Sequence, residues 1–204
     1  MANYKKIGIM GGTFDPVHYG HLVLAEQVRS NLRLDCIYFV PSGDPPHKTD
    51  KVITDKYLRY EMVLLATVDN PRFGILDTEL KSEKKNYTID SIREIKKDLG
   101  IDDSVYFITG ADQILNIETW KDYEVLLKEN VFIGASRPGY ADDELYKKIG
   151  MLKEELNANI IHVEVPALAI SSTDIRNRIK EGNTIRYLLP ESVEQYIYKH
   201  KLYK

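Results

Sequence analysis

Six short apolar runs alternate along the chain with helical patterns, and this alternation constrains the fold more than any other feature. The runs are predicted to be strands at residues 6–10, 36–40, 73–78, 105–108, 131–135 and 160–163. Between them, apolar residues recur every three or four positions, as at Leu58, Met62 and Leu65. The runs themselves are continuous, which suits a parallel sheet covered on both faces. The pattern predicts an α/β fold, a doubly wound, mainly parallel Rossmann-like sheet with helices on both faces.

Composition narrows the class of protein. The chain has 204 residues, of which 43% are hydrophobic, enough to bury one substantial core, and residues 1–204 are expected to form a single domain. Its net charge of −3 gives no general attraction for nucleic acid or an anionic membrane. No apolar run is long enough to span a bilayer, and no signal peptide is recognisable at the start. Cys36 is the one cysteine, so an internal disulfide is impossible, and a cytoplasmic location is expected.

The segment from residue 7 to 22, IGIMGGTFDPVHYGHL, predicts a phosphate site at the end of the first strand. Gly11 and Gly12 let the backbone approach a phosphate chain, and Thr13 and Phe14 continue this bed. A helix is expected to begin near the HYGH tetrad, with free N–H groups and positive potential at its first turn. The histidines at 18 and 21 share one face of that helix. A capped, solvated helix start is the simpler alternative for such a tetrad.

A second phosphate-type segment lies near the other end of the chain, at residues 170–176, ISSTDIR. Ser171 and Asp174 form an S-x-x-D opening to a helix. The hydroxyls of Ser172 and Thr173, the free N–H groups and the Arg176 guanidinium can converge where β- and γ-phosphates would lie. Taken alone, the segment also fits an ordinary capped helix with a surface arginine.

Together these segments resemble the nucleotidyltransferase superfamily that carries the (H/T)xGH motif and transfers adenylyl or cytidylyl groups. Further segments resemble the bacterial nicotinate mononucleotide adenylyltransferases: PPHK at 45–48, YTID at 87–90, GAD at 110–112 followed by a tryptophan at 120, SRPG at 136–139 and IRYLLP at 185–190. The resemblance covers the chain from end to end. It implies an enzyme that joins ATP to nicotinate mononucleotide, giving deamido-NAD and pyrophosphate in NAD biosynthesis.

The resemblance also implies roles for individual residues. The catalytic residues are expected to be His18, His21 and Arg176. ATP is expected to contact Gly11, Gly12, Thr13, Phe14, Gly110, Asp112, Arg137, Ser171, Ser172 and Thr173. The acceptor mononucleotide is expected to contact Lys48, Thr88 and Trp120. Mg²⁺ is expected on the ATP phosphates, with no metal site built from protein ligands.

Several alternatives stay open at this stage. Trp120 also suits a core tryptophan, Thr88 a plain helix cap, and Lys48 a solvated loop. Relatives often carry an amide side chain where this chain has Ser42 and Gly43, and whether backbone N–H groups there take over its role in holding the nicotinate carboxylate is left open. The acceptor could instead be nicotinamide mononucleotide or phosphopantetheine, and a non-catalytic nucleotide sensor is the rival from a different class. The resemblance allows a homodimer.

Overall fold

A parallel sheet forms the centre of the structure. The structure is a computed structural model, and it describes residues 6–43, 53–82, 86–136, 143–166 and 168–204. Within these residues the strands are β1 Ile7–Gly12, β2 Cys36–Pro41, β3 Phe73–Ile75, β4 Tyr106–Gly110, β5 Val131–Ser136 and β6 Asn159–Glu164. All neighbouring pairs are parallel, in the order β3-β2-β1-β4-β5-β6. The order reverses between β1 and β4, and parallel sheets bind ligands at such a switch point. The predicted fold class is confirmed.

Helices connect the strands and continue past the last one. They are α1 Tyr19–Leu32, α2 Lys56–Thr67, α3 Thr78–Lys81, α4 Thr88–Leu99, α5 Ala111–Leu115, α6 Tyr123–Glu129, α7 Asp143–Leu156, α8 Ser172–Lys180 and α9 Glu191–Lys199, with a 3₁₀ turn at Ile117–Thr119. The third predicted strand was too long, because β3 ends at Ile75 and α3 already begins at Thr78. The short helices α3, α5 and α6 escaped prediction, since four to seven residues offer too few turns for periodicity to appear.

Two hydrophobic cores lie on the two faces of the sheet. Successive residues of β1 serve different cores, because side chains alternate along a strand: Met10 packs with α1, α2, α8 and α9, whereas Ile9 packs with α4 to α7. The same division separates Ile108 from its neighbour Phe107 on β4. Cys36, at the start of β2, is buried, and this burial raises the pKa of its thiol to about 11, as suits a structural cysteine. The helices therefore cover both faces, as predicted.

The C-terminal segment returns to the face that carries α1 and α2. Val193 and Ile197 of α9 are fully buried in that core, and the Ser192 hydroxyl donates to the Leu65 carbonyl at 3.0 Å. The Tyr19 N–H, at the start of α1, donates to the Leu188 carbonyl at 3.1 Å. The last residues of the chain are thereby brought next to the end of β1. In the part of the chain that the structure describes, no helix is long and apolar enough to cross a membrane.

Candidate active site

The turn between β1 and α1 is tightly folded and mostly buried. Phe14 has a positive φ of 49°, which is uncommon for a residue with a side chain, and only 2% of it is exposed. Gly12 precedes it, and a Cβ at this position would lie 2.8 Å from the Phe14 ring. The glycine therefore allows the ring to fold back under the end of β1. Such local strain is typical of ligand-binding turns.

The two histidines of the HYGH tetrad lie side by side at the start of α1. His18 occupies the N-cap position, and its ring stacks on that of His21 with centroids 3.8 Å apart. The His18 backbone N–H donates to Nδ1 of His21 at 3.2 Å. Because Nδ1 accepts this bond, the proton of a neutral His21 is on Nε2. The edge of Phe14 packs against His21 at 5.1 Å and restricts its ring further.

Burial makes both histidines neutral near pH 7. It lowers the pKa of His18 to about 4, with only 6% of the residue exposed. The pKa of His21 is lowered well below its usual value, first by burial and then by the proximity of His18. In the free protein the pair therefore offers N–H hydrogen bonds to an anion, and its full positive charges are absent.

Gly20, between the two histidines, explains the glycine of the tetrad. A Cβ at this position would lie 2.9 Å from Nδ1 and 3.0 Å from Cε1 of His18. Any larger residue would push the His18 ring away from its place against His21. The sequence alone does not show this packing requirement.

The ISSTDIR segment is joined to this turn by hydrogen bonds. Ser171 caps α8, since its hydroxyl accepts from the Asp174 N–H at 3.1 Å. The Ser172 hydroxyl donates to the Pro16 carbonyl at 2.8 Å, and Arg176 Nη1 donates to the Asp15 carbonyl at 2.6 Å. The two predicted phosphate segments, more than 150 residues apart, therefore form one surface.

The guanidinium of Arg176 donates its two hydrogen bonds in the described part of the chain to uncharged groups. Its second nitrogen, Nη2, donates to the hydroxyl of Thr173 at 3.2 Å, and its other acceptor is a carbonyl. Neither bond neutralises the guanidinium. The charge is left to act on an anion at the first turn of α8, where the helix dipole adds to it.

A cavity of about 490 Å³ opens beside the carboxyl ends of β1, β2 and β4. Its walls come from strand ends, from α4 and from the segment around the tryptophan: Ile9, Gly11, Gly12, Thr13, Val40, Ser42, Glu79, Asn86, Tyr87, Thr88, Ser91, Ile92, Ile95, Phe107, Thr109, Gln113, Thr119, Trp120 and Lys121. Gly11, Gly12 and Thr13 belong both to this cavity and to the turn that leads to the histidines. The structure therefore brings Thr88 and Trp120, two of the three predicted acceptor residues, next to the predicted phosphate bed.

Trp120 and Thr88 lie on the cavity wall. Trp120 is half-buried and meets Phe107 and Phe132 edge to face, with centroids 6.0 and 6.3 Å away. It contributes to the core and to the cavity at once. Thr88 is the first residue of α4, and the N-cap position belongs to Tyr87, so the interpretation of Thr88 as a plain N-cap is wrong. Lys121 adds a cation, held 2.9 Å from Asp90 and over the Tyr87 ring.

Glu79 is a wall residue that sequence reasoning missed. Its carboxyl accepts from the Ser91 hydroxyl at 2.8 Å and from the Gly43 N–H, and burial raises its pKa. The Ser42 N–H, in turn, donates to the Gly12 carbonyl at 2.8 Å. The backbone N–H groups of Ser42 and Gly43 are thus both occupied in this structure.

Arg59 is the second missed residue and the largest fully buried side chain. Its guanidinium donates to the carbonyls of Thr13 at 2.8 Å, Ser42 at 2.6 Å and Gly43 at 3.0 Å. It therefore holds the ends of β1 and β2 together under the cavity. An arginine on the apolar face of α2, next to Met62 and Val63, was the signal available in the sequence.

The remaining predicted residues are placed as follows. Gly110 ends β4 at the switch point, and the exposed Asp112 lies in the first turn of α5, where it accepts from the side chain of Gln113 at 2.9 Å. Lys48 and Arg137 lie outside the described residues, so their roles stay predictions.

Donors for a bound cation are scarce in this site. Among the described residues, no three His, Cys, Asp or Glu side chains form a group that could hold a metal ion. Asp15 is the buried carboxylate of the histidine turn, and its oxygens accept from the Tyr203 hydroxyl at 2.6 Å and the Thr54 N–H at 3.3 Å. A Mg²⁺ ion that enters on a polyphosphate and keeps its waters fits such surroundings.

Comparison with known proteins agrees with the fold and the two joined motifs. A model of the cytidylyltransferase-like family matches residues 9–178 of the chain. A probable nicotinate-nucleotide adenylyltransferase of Thermoanaerobacter sp. (strain X514) is 52% identical over 100% of this chain and 97% of its own. One from Moorella thermoacetica is 51% identical over 98% and 92%. The chain therefore belongs to the cytidylyltransferase-like family and, within it, to the nicotinate-nucleotide adenylyltransferases.

A solved structure agrees with this assignment. The nicotinic acid mononucleotide adenylyltransferase of Plasmodium falciparum, in complex with NaAD, matches with a TM-score of 0.77 and 25% sequence identity. The match covers 98% of this chain and 97% of that one.

Proposed function

We propose that this protein transfers the adenylyl group of ATP to nicotinate mononucleotide, releasing pyrophosphate and forming nicotinate adenine dinucleotide. The observation that carries the proposal is the union of the two phosphate segments beside one cavity that holds Trp120 and Thr88. The names of the relatives point to the same reaction. Residues 1–204 are proposed to act as one catalytic domain.

The cavity suits a pyridine ring that carries a carboxylate. Trp120 presents an aromatic surface on which a flat ring gains both burial and stacking. The first turn of α4, starting at Thr88, provides N–H groups and positive potential for the carboxylate, and Lys121, which is paired with Asp90, lies at the same wall. The acceptor phosphate then extends toward Gly11 and Gly12, where the backbone permits close approach.

The proposed chemistry is a direct in-line displacement. The acceptor phosphate oxygen attacks the α-phosphorus of ATP, the bond to the bridging oxygen breaks, and the electron pair leaves with pyrophosphate. A phosphate monoester is already ionised near neutral pH, so the step needs no general base. Catalysis depends on positioning and charge stabilisation. His18 and His21 donate to the α-phosphate and bridging oxygen, while Ser172, Thr173 and Arg176 hold the departing pyrophosphate.

Three further parts of the proposal concern the surroundings of the reaction. Mg²⁺ accompanies ATP and supplies charge neutralisation on its phosphates. The protein is proposed to act in the cytoplasm, and a homodimer is proposed as an alternative to a monomer.

The test is pyrophosphate release from the purified protein with Mg-ATP and one of three acceptors. Rapid release with nicotinate mononucleotide, and little with nicotinamide mononucleotide or phosphopantetheine, is the expected result. Release with another acceptor alone would keep the reaction class and overturn the acceptor. If the protein binds ATP and releases no pyrophosphate with any acceptor, it is a nucleotide sensor.

A further inference from the structure

The last residues of the chain reach the turn that carries the catalytic histidines. Tyr203, next to the C-terminus, packs with Leu202 against the core beneath α1 and α2. Its hydroxyl donates to Oδ1 of Asp15 at 2.6 Å, across 188 positions of sequence. Asp15 lies three residues before His18 in the same turn. The tail therefore contacts the phosphate-binding turn directly.

The hydrogen bond between Tyr203 and Asp15 is a strong one. Asp15 is only 6% exposed, so its carboxylate depends on protein donors for hydrogen bonds. Among the described residues, the other donor to this carboxylate is the Thr54 N–H, at a longer 3.3 Å. A short bond from a hydroxyl to a carboxylate is about twice as strong as a neutral hydrogen bond. Burial and the nearby Asp15 raise the pKa of Tyr203 well above its usual value, so the hydroxyl keeps the proton that it donates.

Apart from the bonds of Tyr203 and Thr54 to the Asp15 carboxylate, the ISSTDIR segment holds the turn through its backbone. Arg176 and Ser172 bind the carbonyls of Asp15 and Pro16, and both belong to the segment that is proposed to hold the pyrophosphate. The bond from Tyr203 comes from a different element and does not depend on the phosphates.

We propose that Tyr203 is a positioning residue of this enzyme: its hydroxyl fixes Asp15 and thereby keeps His18 and His21 in register with the reacting phosphates. The C-terminal tail is thus part of the active site. The inference rests on the proposed adenylyl transfer for its kinetic test. Its structural consequence, the placement of the two histidines, is independent of turnover.

The experiment compares Tyr203→Phe, which removes only the hydroxyl, with the matched control Tyr198→Phe on exposed α9 surface. We expect Tyr203→Phe to lower kcat about tenfold, with the KM of both substrates within about twofold, because small displacements of catalytic groups are costly. Ring ¹⁵N NMR signals of the two histidines are expected to shift in the same variant. The control should leave kcat and the histidine signals unchanged.

The variant Asp15→Asn alters the acceptor of the same hydrogen bond, and it replaces Tyr203→Phe in the experiment if that variant folds poorly. It should lower kcat similarly, and the double variant should lose no more than the worse single variant. Unchanged kcat, a loss confined to KM, additive losses in the double variant, or unshifted histidine signals would each overturn the proposal. If the wild-type protein itself releases no pyrophosphate, the proposed function fails, and the histidine signals alone decide the role of Tyr203.

Discussion

Replacing Gly20 by alanine is expected to separate activity from stability. The added Cβ would lie 2.9 Å from Nδ1 of His18, whereas ordinary contacts begin near 3.4 Å. The ring must therefore move by about half an ångström. Movement on one side is blocked by His21, whose ring already lies 3.8 Å away. Since a misplacement of about 1 Å can cost about 10²-fold in rate, we expect kcat to fall about 10- to 10²-fold.

Stability should change little in the same variant. Gly20 lies in the first turn of α1, and alanine is favoured over glycine in helices by about 0.5–1 kcal/mol. This gain offsets part of the cost of moving one imidazole. For a protein of this size, 1 kcal/mol corresponds to about 2–4 °C in Tm. The melting temperature is therefore expected to stay within a few degrees of the wild type.

The matched control is Gly150→Ala in α7, where an added Cβ meets nothing within 4 Å. It should raise Tm slightly and leave kcat unchanged. The assay is pyrophosphate release under saturating substrates, with Tm measured by circular dichroism on the same samples. If Gly20→Ala turns over within twofold of Gly150→Ala, the packing argument for the HYGH glycine is wrong.

Three further predictions concern the same site. His18→Ala should lower kcat about 10²- to 10³-fold with an unchanged fold by circular dichroism, because one transition-state contact is lost. Trp120→Ala should raise the KM for nicotinate mononucleotide about tenfold, with the KM for ATP within twofold, and an equal effect on both would remove the tryptophan from the acceptor site. The pKa of His18 is about 4 in the folded protein and about 6.5 in the unfolded chain. The free energy of unfolding that neutral His18 contributes is therefore fully present above pH 6.5 and is lost as the pH falls toward 4. Chemical unfolding at several pH values should therefore show an acid loss from His18 of up to about 3 kcal/mol, and His18→Gln should lose less stability in acid because only the share of His21 remains.

The sheet was predictable because its strands are continuous apolar runs. The segments between them carry apolar residues at every third or fourth position, which is the pattern of a helix. Buried strands need no polar face, so the period of the flanking helices carries the information. The ends of the strands were less predictable than the strands themselves. The strand β1 runs two residues past its predicted end, through Gly11 and Gly12. Glycine has weak strand propensity, yet β2 pairs with both residues. Long-range pairing outweighs local preference there.

The two segments that are proposed to hold phosphates were recognisable in the sequence because their chemistry is local. A glycine turn or an S-x-x-D opening requires only neighbours in sequence. Glu79, Arg59 and Tyr203 were missed because their roles come from contacts across the fold, which no short pattern encodes. The same reason explains why the sequence left open the role of the Ser42 and Gly43 N–H groups, which are occupied by a strand partner and a distant carboxylate.

The neutrality of the histidines bears on how the site can favour the transition state. Two imidazolium ions would attract the ground-state phosphates of ATP strongly, and equal stabilisation of substrate and transition state gains nothing in kcat. Neutral N–H donors interact more weakly at rest and strengthen as charge accumulates on the bridging oxygen. In the proposed mechanism, ground-state attraction is then the task of Arg176 and the helix N-termini, which are proposed to hold the departing pyrophosphate. If His18 and His21 act as proposed, a variant that exposes the pair should bind ATP more tightly at low pH while turning over more slowly, which the Kd for ATP and the kcat of pyrophosphate release at several pH values would measure.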